Sequence, residues 1–427
     1  MSAAYPLSAD LSFDEKCRRL RTVEPSLGCI RARREPDPNA SLHILVKDNI
    51  SVEGFTTPAG SLALKDLVLP EAPCVTKLRE AGVDIFGKTH MTELAGFVTT
   101  SVLSRGYSQL GGFGINPYGD FPTYGSSSGS AIAVAAGLCD AALGTETKGS
   151  LIMPGLANGV WAFKPSIGMI TRRNVVPLSS HFDTVGVLAR HPTDLARVFE
   201  AMVGFDSEDP VTELSQTLND LTEEVTSLRI GLLQIPGTAG LSPVQAEALK
   251  RIKEQGIVVI ELSAPKLDFD YKLITSQDIR YGMDRMLGRY AKGSTPASFE
   301  ELVRFYRDRP ETHPYGMERL DDALAMEPMS DDELETVATE NIARANAVIN
   351  GLCEEYGVNF LMAPNFIDWW SIAGAPSAAM PVGFEADGRP VGLIVGARRG
   401  EDRRMLRLLE SVESILSGFG AISGAKR

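Results

Sequence analysis

The sequence predicts an α/β fold in which a large mixed β-sheet is covered by helices on both faces. Short apolar runs typical of buried strands alternate with longer helical segments along the whole chain. Residues 228–262 form a strand–helix–strand unit, which favours parallel strand pairing. Two other apolar runs are joined directly by a turn at Asp387 and Gly388. Together these observations indicate a mixed sheet between layers of helices.

A lysine directly follows the first predicted strand. Residues 13–22 are predicted to form a helix and residues 42–46 a strand, with Lys47 directly after that strand. A second helix and strand follow at 72–81 and 83–86. A lysine at a strand exit either has its ammonium in water or is buried and acts as a base. The residues alone leave both interpretations open.

The next region is rich in glycine and serine. Residues 96–130 show almost no periodicity, and a long ordered loop of this kind is usually functional. The loop ends in YGSSSGS at 124–130, and a buried Ala-rich helix at 131–137 and a strand at 141–144 follow. Backbone amides at such a helix start favour a developing negative charge. The alternative is a flexible loop whose serines cap the helix.

The second half of the chain continues the alternation. An acidic stretch at 206–224 holds seven acids and no base, and it is predicted to be a solvated surface linker. The predicted strands are 228–233, 257–262, 360–362, 382–384 and 391–395, and the predicted helices are 193–203, 243–255, 331–356 and 401–416.

Composition excludes several classes of protein. The chain has 427 residues, 44% hydrophobic and 23% charged, which is ordinary for a globular protein. The net charge of −13 argues against a protein that coats nucleic acid or an anionic membrane. Its longest apolar run, residues 131–139, is far shorter than a membrane span, and the N-terminus has no signal-peptide core. Five cysteines without a CxxC spacing predict reduced thiols and a cytoplasmic location.

Familiar catalytic and ligand motifs are missing. The loop GTETKGS at 144–150 has Lys148, Gly149 and Ser150 in the wrong order for a phosphate-binding loop. The five histidines are scattered without an HExxH or a similar ligand spacing, so no metal site is predicted. Neither Ser126 nor Ser150 lies in a GxSxG elbow, which argues against a Ser-His-Asp enzyme. No cofactor is predicted.

Residues 124–168 read YGSSSGSAIAVAAGLCDAALGTETKGSLIMPGLANGVWAFKPSIG, and this run resembles the signature of the amidase signature family, whose members are Ser-cisSer-Lys amidohydrolases. Further matching segments are LVKDNISVEGFTTPAGS, VTKLREAGVDIFGKTHMTELA and SIAGAPSAAMPVGFEADGRPVGLIVGA. The resemblance implies the amidase signature fold as one domain over residues 1–427. Its core would be about 40–200 and 355–420, with a more variable region at about 205–355.

The resemblance also assigns roles. Ser150 would be the nucleophile, Ser126 a bridging serine after a cis Gly125–Ser126 bond, and Lys47 the base. A serine hydroxyl needs a base to become nucleophilic, and lysine serves only when neutral, which burial favours. The implied oxyanion donors are the backbone N–H groups of Thr147, Lys148, Gly149 and Ser150. The predicted substrate contacts are Tyr124, Gly125, Trp369 and Trp370, although the two tryptophans are equally expected as core aromatics.

The chain departs from the family pattern next to the proposed nucleophile. Lys148 and Ser128 stand where relatives usually have glycine, and Ile152 stands where they have arginine. A positive φ at Lys148 would be strained, and its side chain would either face the site or point out into solvent. We hypothesise that Lys148 or another base replaces the missing arginine as the partner of Glu146. The segment 363–370 is short, which predicts an open pocket or one closed by the tryptophans.

The predicted function is therefore hydrolysis of a small amide, hydrazide or carbamoyl-type substrate through an acyl-enzyme. Two alternatives remain at this point. In the first, the acyl group is transferred to an amine or ammonia; the A subunit of the tRNA amidotransferase shows that the family can hand on ammonia to a partner. In the second, the chain keeps the fold without catalysis. The expected partner is a small-molecule substrate, with no nucleic acid and no membrane. The resemblance also suggests a homodimer.

Overall fold

The computed structural model describes residues 11–217, 228–234, 236–237 and 239–417. One mixed sheet with eleven strands runs through this part of the chain. The strands are β1 (Ile30–Arg33), β2 (Leu42–Lys47), β3 (Val83–Thr89), β4 (Ala141–Glu146), β5 (Trp161–Lys164), β6 (Thr184–Ala189), β7 (Arg229–Gln234), β8 (Val258–Ser263), β9 (Phe360–Ala363), β10 (Ser377–Phe384) and β11 (Pro390–Gly396).

The strand order in the sheet is β1-β3-β2-β4-β6-β5-β10-β11-β9-β7-β8. β2 pairs in parallel with both β3 and β4, and β7 pairs in parallel with both β8 and β9. The other pairs are antiparallel, including the β10–β11 hairpin. The predicted mixed sheet is thus confirmed. Because β2 and β4 are parallel neighbours, their carboxyl ends lie side by side.

Helices flank the sheet. The described helices are α1 (Phe13–Thr22), α2 (Glu24–Leu27), α3 (Pro73–Glu80), α4 (Ser128–Ala135), α5 (Ile152–Ala157), α6 (Pro192–Met202), α7 (Pro243–Glu254), α8 (Tyr271–Tyr290), α9 (Phe299–Arg307), α10 (Glu318–Ala325), α11 (Asp331–Tyr356), α12 (Trp369–Ile372) and α13 (Asp402–Ser417). Among these, none is long and apolar enough to cross a membrane.

Both faces of the sheet are buried, as predicted. Because successive side chains of a strand point to opposite faces, Ile44 and Val46 pack into one core while Leu45 packs into another. The first core is closed mainly by α3, α6, α7 and α13, and the second by α4, α11 and α12. A third cluster joins α8, α9 and α10 to the segment around residues 59–69 and 91–98. The site described below lies at the carboxyl ends of β2 and β4, next to this third cluster.

Most predicted elements are found, whereas strands β1, β5 and β6 and the short helices α2, α5 and α12 were not predicted, and three further differences follow. α4 begins at Ser128, three residues before the predicted helix at 131–137, because the last serines of the loop already form its first turn. Helices α8, α9 and α10 were not predicted. The acidic stretch is not simply solvated, since Asp206 and Asp209 form ion pairs with Arg173 and Arg172. Its residues 218–224 lie outside the described part of the chain.

Candidate active site

The site is built around Lys47 at the end of β2. Lys47 is fully buried, which excludes the interpretation of a solvated lysine at a strand exit. Its Nζ donates to Ser126 Oγ at 2.7 Å, and to the carbonyl oxygen and Oγ1 of Thr145 at 3.0 and 2.8 Å. Thr145 lies on the neighbouring β4, so the parallel pairing of β2 and β4 brings these groups together. All three protons of the ammonium therefore have an acceptor.

Burial lowers the pKa of Lys47 to about 7, although the nearby carboxylates of Asp183 and Glu146 both act to raise it. The physical cause is the loss of hydration, which disfavours the charged form. At neutral pH roughly half of the molecules then carry an uncharged Lys47. An uncharged amine has a lone pair that accepts the proton of Ser126, so this lysine is suited to act as a base.

Ser126 is held by its backbone as well as by Lys47. The Gly125–Ser126 peptide bond is cis, in agreement with the resemblance. The carbonyl oxygen of Ser126 accepts the Thr92 N–H at 3.0 Å. The next residue, Ser127, donates its N–H to the carbonyl oxygen of Ser150 at 3.1 Å, which joins the serine loop to the loop after β4. Residues 126–130 are all buried, so the interpretation of a flexible loop is wrong.

Ser150 is the most accessible of the three predicted catalytic residues. Its exposed fraction is 8%, compared with 0% for Lys47 and 1% for Ser126. The backbone N–H groups of Lys148, Gly149 and Ser150 donate to no acceptor in the described part of the chain. Gly149 has φ of +80°, which the absence of a Cβ permits. Successive unpaired N–H groups beside a reachable serine can stabilise an oxyanion.

The loop after β4 is held by the carboxylate of Asp183. Thr147 donates its hydroxyl proton to Asp183 Oδ1 at 2.5 Å. Asp183 Oδ2 in turn accepts the N–H groups of Leu178 and Ser179 at 2.8 and 2.9 Å. Burial nevertheless raises the pKa of Asp183. These contacts orient Thr147 and add a negative charge near Lys47.

Glu146 does not pair with Lys148, so that half of the hypothesis is wrong, whereas the buried Lys164 lies close enough for the charge of Glu146 to act on the pKa of its amine. The Oε2 of Glu146 accepts the N–H groups of Leu151 and Ile152 at 2.8 and 3.1 Å, and Ser371 donates to its Oε1 at 2.8 Å. The missing arginine is thus replaced by backbone donors and a hydroxyl. The carboxylate holds the turn that follows the proposed nucleophile.

The side chain of Lys148 faces a neighbouring loop and helix. Its Nζ lies 3.6 Å from a carboxylate oxygen of Asp368 and 4.0 Å from the centre of the Tyr271 ring. About a third of the side chain is exposed, so it is partly solvated while it contacts Asp368 and Tyr271. Its φ is not positive, and the predicted backbone strain is absent. Burial lowers the pKa of Lys148, and the Asp368 carboxylate opposes this effect.

The predicted substrate contacts fall in two places. Trp369 and Trp370 are 2% and 1% exposed and pack in the core, as the alternative interpretation expected. Tyr124 lines a cavity of about 370 Å³ together with Met153 and Phe366. Phe366 also packs against Gly149, where a Cβ would lie 2.9 Å from the ring. The short segment 363–370 therefore covers the loop after β4 through Phe366 and Asp368.

Sequence reasoning missed Thr145, Asp183 and Thr92. Each acts through a contact between segments distant in the chain, and threonine and aspartate are too common for their presence to indicate such a role. The only available signal was that all three lie in segments that resemble the family, Asp183 at the start of the segment DTVGVLAR. Among the described residues, no group of three or more His, Cys, Asp or Glu side chains could hold a metal ion.

Comparisons with known proteins concern the family and the fold. A family model described as Amidase matches residues 28–368. A probable amidase of Arabidopsis thaliana is 29% identical over 398 residues, which are 87% of this chain and 75% of that protein. The A subunit of glutamyl-tRNA(Gln) amidotransferase from a Synechococcus strain is 27% identical and covers 90% of this chain and 85% of its own. The X-ray structure of peptide amidase from Stenotrophomonas maltophilia is similar with a TM-score of 0.85 at 27% identity, over 94% of this chain and 92% of that one.

Proposed function

The chain belongs to the amidase family of enzymes that hydrolyse carbon–nitrogen bonds, and we propose that it cleaves a small amide, hydrazide or carbamoyl-type substrate through an acyl-enzyme on Ser150. One observation carries the proposal. A buried lysine with a pKa of about 7 contacts Ser126, whose loop is hydrogen-bonded to Ser150. A base, a bridging hydroxyl and an accessible hydroxyl are the groups that acyl transfer to a serine needs.

The first half of the reaction forms the acyl-enzyme. Neutral Lys47 keeps two N–H bonds to Thr145 and accepts the proton of Ser126 on its lone pair. Ser126 takes the proton of Ser150 as Ser150 Oγ attacks the carbonyl carbon. The tetrahedral oxyanion is stabilised by backbone N–H groups of residues 147–150, of which those of Lys148, Gly149 and Ser150 have no other acceptor in the described part of the chain, each contributing about 3 kcal/mol. Collapse breaks the C–N bond, and the proton returns through Ser126 to the leaving amine.

Water completes the cycle. It loses a proton through Ser126 to Lys47 and attacks the acyl carbon. The bond between the acyl carbon and Ser150 Oγ then breaks, the carboxylic acid leaves, and the proton returns through Ser126 to Ser150 Oγ. If an amine or ammonia attacked instead, the enzyme would transfer the acyl group. Hydrolysis is the proposal for this chain. Added hydroxylamine would reveal any transfer as a hydroxamate product.

A fluorophosphonate probe tests the nucleophile. We expect the probe to label wild-type protein, Ser150→Ala to abolish labelling, and Lys47→Ala to slow it at least a hundredfold. Ser26→Ala, which removes an exposed serine hydroxyl on α2 that donates to the Val23 carbonyl oxygen, serves as the matched control and keeps full labelling. Absence of labelling in folded wild-type protein, or labelling that persists in Ser150→Ala, would contradict the proposal.

A cytoplasmic location and a homodimer are also proposed. All five cysteines are free thiols and four of them are buried, which fits a reducing compartment. Light scattering of the purified protein would check the homodimer.

A further inference from the structure

Asn49 lies in the turn directly after β2, two residues beyond Lys47, and only 3% of it is exposed. Its Nδ2 donates to Thr145 Oγ1 at 3.1 Å. The same oxygen accepts an N–H of Lys47 at 2.8 Å. Asn49 Oδ1 is buried and has no hydrogen-bond partner among the described residues, so the bond to Thr145 is the one side-chain hydrogen bond that Asn49 makes in this part of the chain. The amide is therefore placed to act on the hydroxyl beside the proposed base.

The backbone around Asn49 is held on both sides of the turn. The carbonyl oxygen of Asn49 accepts the Val176 N–H at 2.8 Å. The Nζ of Lys88, a fully buried residue of β3, donates to the carbonyl oxygen of Ile50 at 2.6 Å. Since the backbone is fixed by these bonds, the Asn49 amide keeps its place relative to Thr145.

The Thr145 hydroxyl needs such a partner to stay beside the amine. A threonine side chain has other staggered positions about its Cα–Cβ bond, and in those positions Oγ1 no longer faces Lys47. The bond from Asn49 is lost in them as well. The Asn49 amide therefore favours the rotamer in which the hydroxyl contacts the lysine.

Three carboxylates lie near Lys47. Those of Asp183 and Glu146 act to stabilise its charged form. Asp48, the next residue in the chain, pairs with Arg31 at 2.5 Å. A hydrogen bond donated by the charged amine stabilises the charged form too. The hydroxyl that accepts this bond adds to the same effect without carrying a charge.

We propose that Asn49 is a positioning residue of the reaction: its amide holds the Thr145 hydroxyl against the Lys47 amine and thereby sets how strong a base this lysine is. The inference rests on the proposed function, in which Lys47 takes up the proton of Ser126. When Lys47 is charged, the hydroxyl accepts one of its three N–H bonds. Without that acceptor the charged form is less stable, and the amine is a weaker base.

Two substitutions of Asn49 with opposite consequences test this role. Asn49→Leu removes the donor, and the pH at which Lys47 is half protonated, called the Lys47 midpoint below, should fall by about half a pH unit or more. Asn49→Asp places a carboxylate at the same position, and the Lys47 midpoint should rise by about half a pH unit or more. A residue that only stabilises the turn would give shifts of the same sign or no shift, and either result would overturn the inference.

A double variant tests whether Asn49 acts through Thr145. Thr145→Val removes the hydroxyl and should lower the Lys47 midpoint by itself, whereas Thr145→Ser retains the hydroxyl and should keep the wild-type midpoint. In the Thr145→Val background, Asn49→Leu should cause no further shift, because the group it acts on is gone. A further shift in the double variant would contradict the proposed route.

Nuclear magnetic resonance measures the Lys47 midpoint without turnover. Protein labelled with ¹³C at the lysine ε-carbon is titrated in the Ser150→Ala background, and the Lys47 signal is identified by its loss in Lys47→Met. Asn341→Leu is the matched control, since Asn341 is also buried but its amide donates to Asp270 and to the Val337 carbonyl oxygen. This control should leave the Lys47 midpoint unchanged.

Amide hydrolysis separates this inference from the proposed function. In active enzyme with Ser150 intact, the midpoint of kcat/KM against pH should move in the Asn49 variants as the Lys47 midpoint does. If the Lys47 midpoints move as expected but wild-type protein hydrolyses no amide, the proposed function fails and the role of Asn49 stands. If wild-type protein hydrolyses amides but the midpoints do not move, the inference fails and the proposed function stands.

Discussion

Lys47 owes its low pKa to its position inside the sheet and not to a neighbouring cation. Both charged groups that influence it, Asp183 and Glu146, act to raise the pKa, so burial overcomes them. A change from 10.5 to about 7 corresponds to about 5 kcal/mol of preference for the neutral amine. The protein thus keeps a strong intrinsic base partly uncharged at neutral pH.

This position gives a pH dependence of known sign. Because the reaction needs neutral Lys47, we expect kcat/KM to rise with pH and to reach half of its plateau near pH 7. Asp183→Asn removes a charge that raises the pKa of Lys47, so the midpoint should move to lower pH. Initial rates between pH 5 and 9 measure both curves. A flat wild-type profile would show that Lys47 is not the base.

Glu146 gives a prediction about stability. Its Oε2 is the acceptor for two buried N–H groups, those of Leu151 and Ile152. Glu146→Ala leaves both donors unpaired and should lower the free energy of unfolding by about 2–4 kcal/mol. Glu146→Gln retains an acceptor oxygen and should lose less. Urea unfolding followed by circular dichroism compares the variants, and equal losses would mean that the carboxylate does not hold this turn.

At the scale of elements, the sequence predicted those features that depend on residues close together in the chain and missed those that depend on distant contacts. Helix α11 was predicted with its observed bounds, because its polar face and its caps are local in the chain. Helix α8 was missed because its buried face includes the polar residues Thr275, Ser276, Gln277 and Asp278. Its apolar residues therefore do not recur at the spacing that indicates a helix. Thr145 was missed as a partner of Lys47 because that contact is set by the register of β2 on β4.

Two elements outside the sheet also restrain the proposed oxyanion loop. The Nζ of Lys148 lies between Tyr271 at the start of α8 and Asp368 before α12. Cation–ring contacts of this kind contribute about 1 kcal/mol, so Lys148→Met should lower kcat roughly fivefold with little change in KM. Tyr271→Phe keeps the ring and should lose less than Tyr271→Leu.

Steady-state kinetics on one chromogenic amide measures these variants. Lys148→Arg keeps the charge and should restore most of the lost kcat. If Lys148→Met changes only KM, the side chain contacts substrate instead of holding the loop.

At the scale of the whole molecule, distant parts of the chain complete one sheet. The C-terminal helix α13 is fastened through buried Asp402, which accepts the N–H and the hydroxyl of Ser166 at 2.7 and 2.6 Å. Ser166 follows β5, near the middle of the sheet. The mixed architecture was predicted from local patterns, whereas this strand order requires pairings between residues far apart in sequence.

The anchor of α13 predicts a global effect. Asp402→Ala leaves two buried donors without an acceptor, so we expect the free energy of unfolding to fall by about 2–4 kcal/mol. Activity at low temperature should change little, because Asp402 lies outside the site. Thermal unfolding and a rate measured well below the Tm check the two parts. A large loss of rate in folded protein would show that α13 also supports the site.

The order of the elements along the chain has an evolutionary consequence. The proposed catalytic residues Lys47, Ser126 and Ser150 all come from the first 150 residues, whereas helices α8 to α11 lie between β8 and β9. Substitutions in that later stretch leave the three proposed catalytic residues unchanged. A gene that diverges only between β8 and β9 therefore keeps them, and recombination at β8 and β9 offers the same route to a protein engineer.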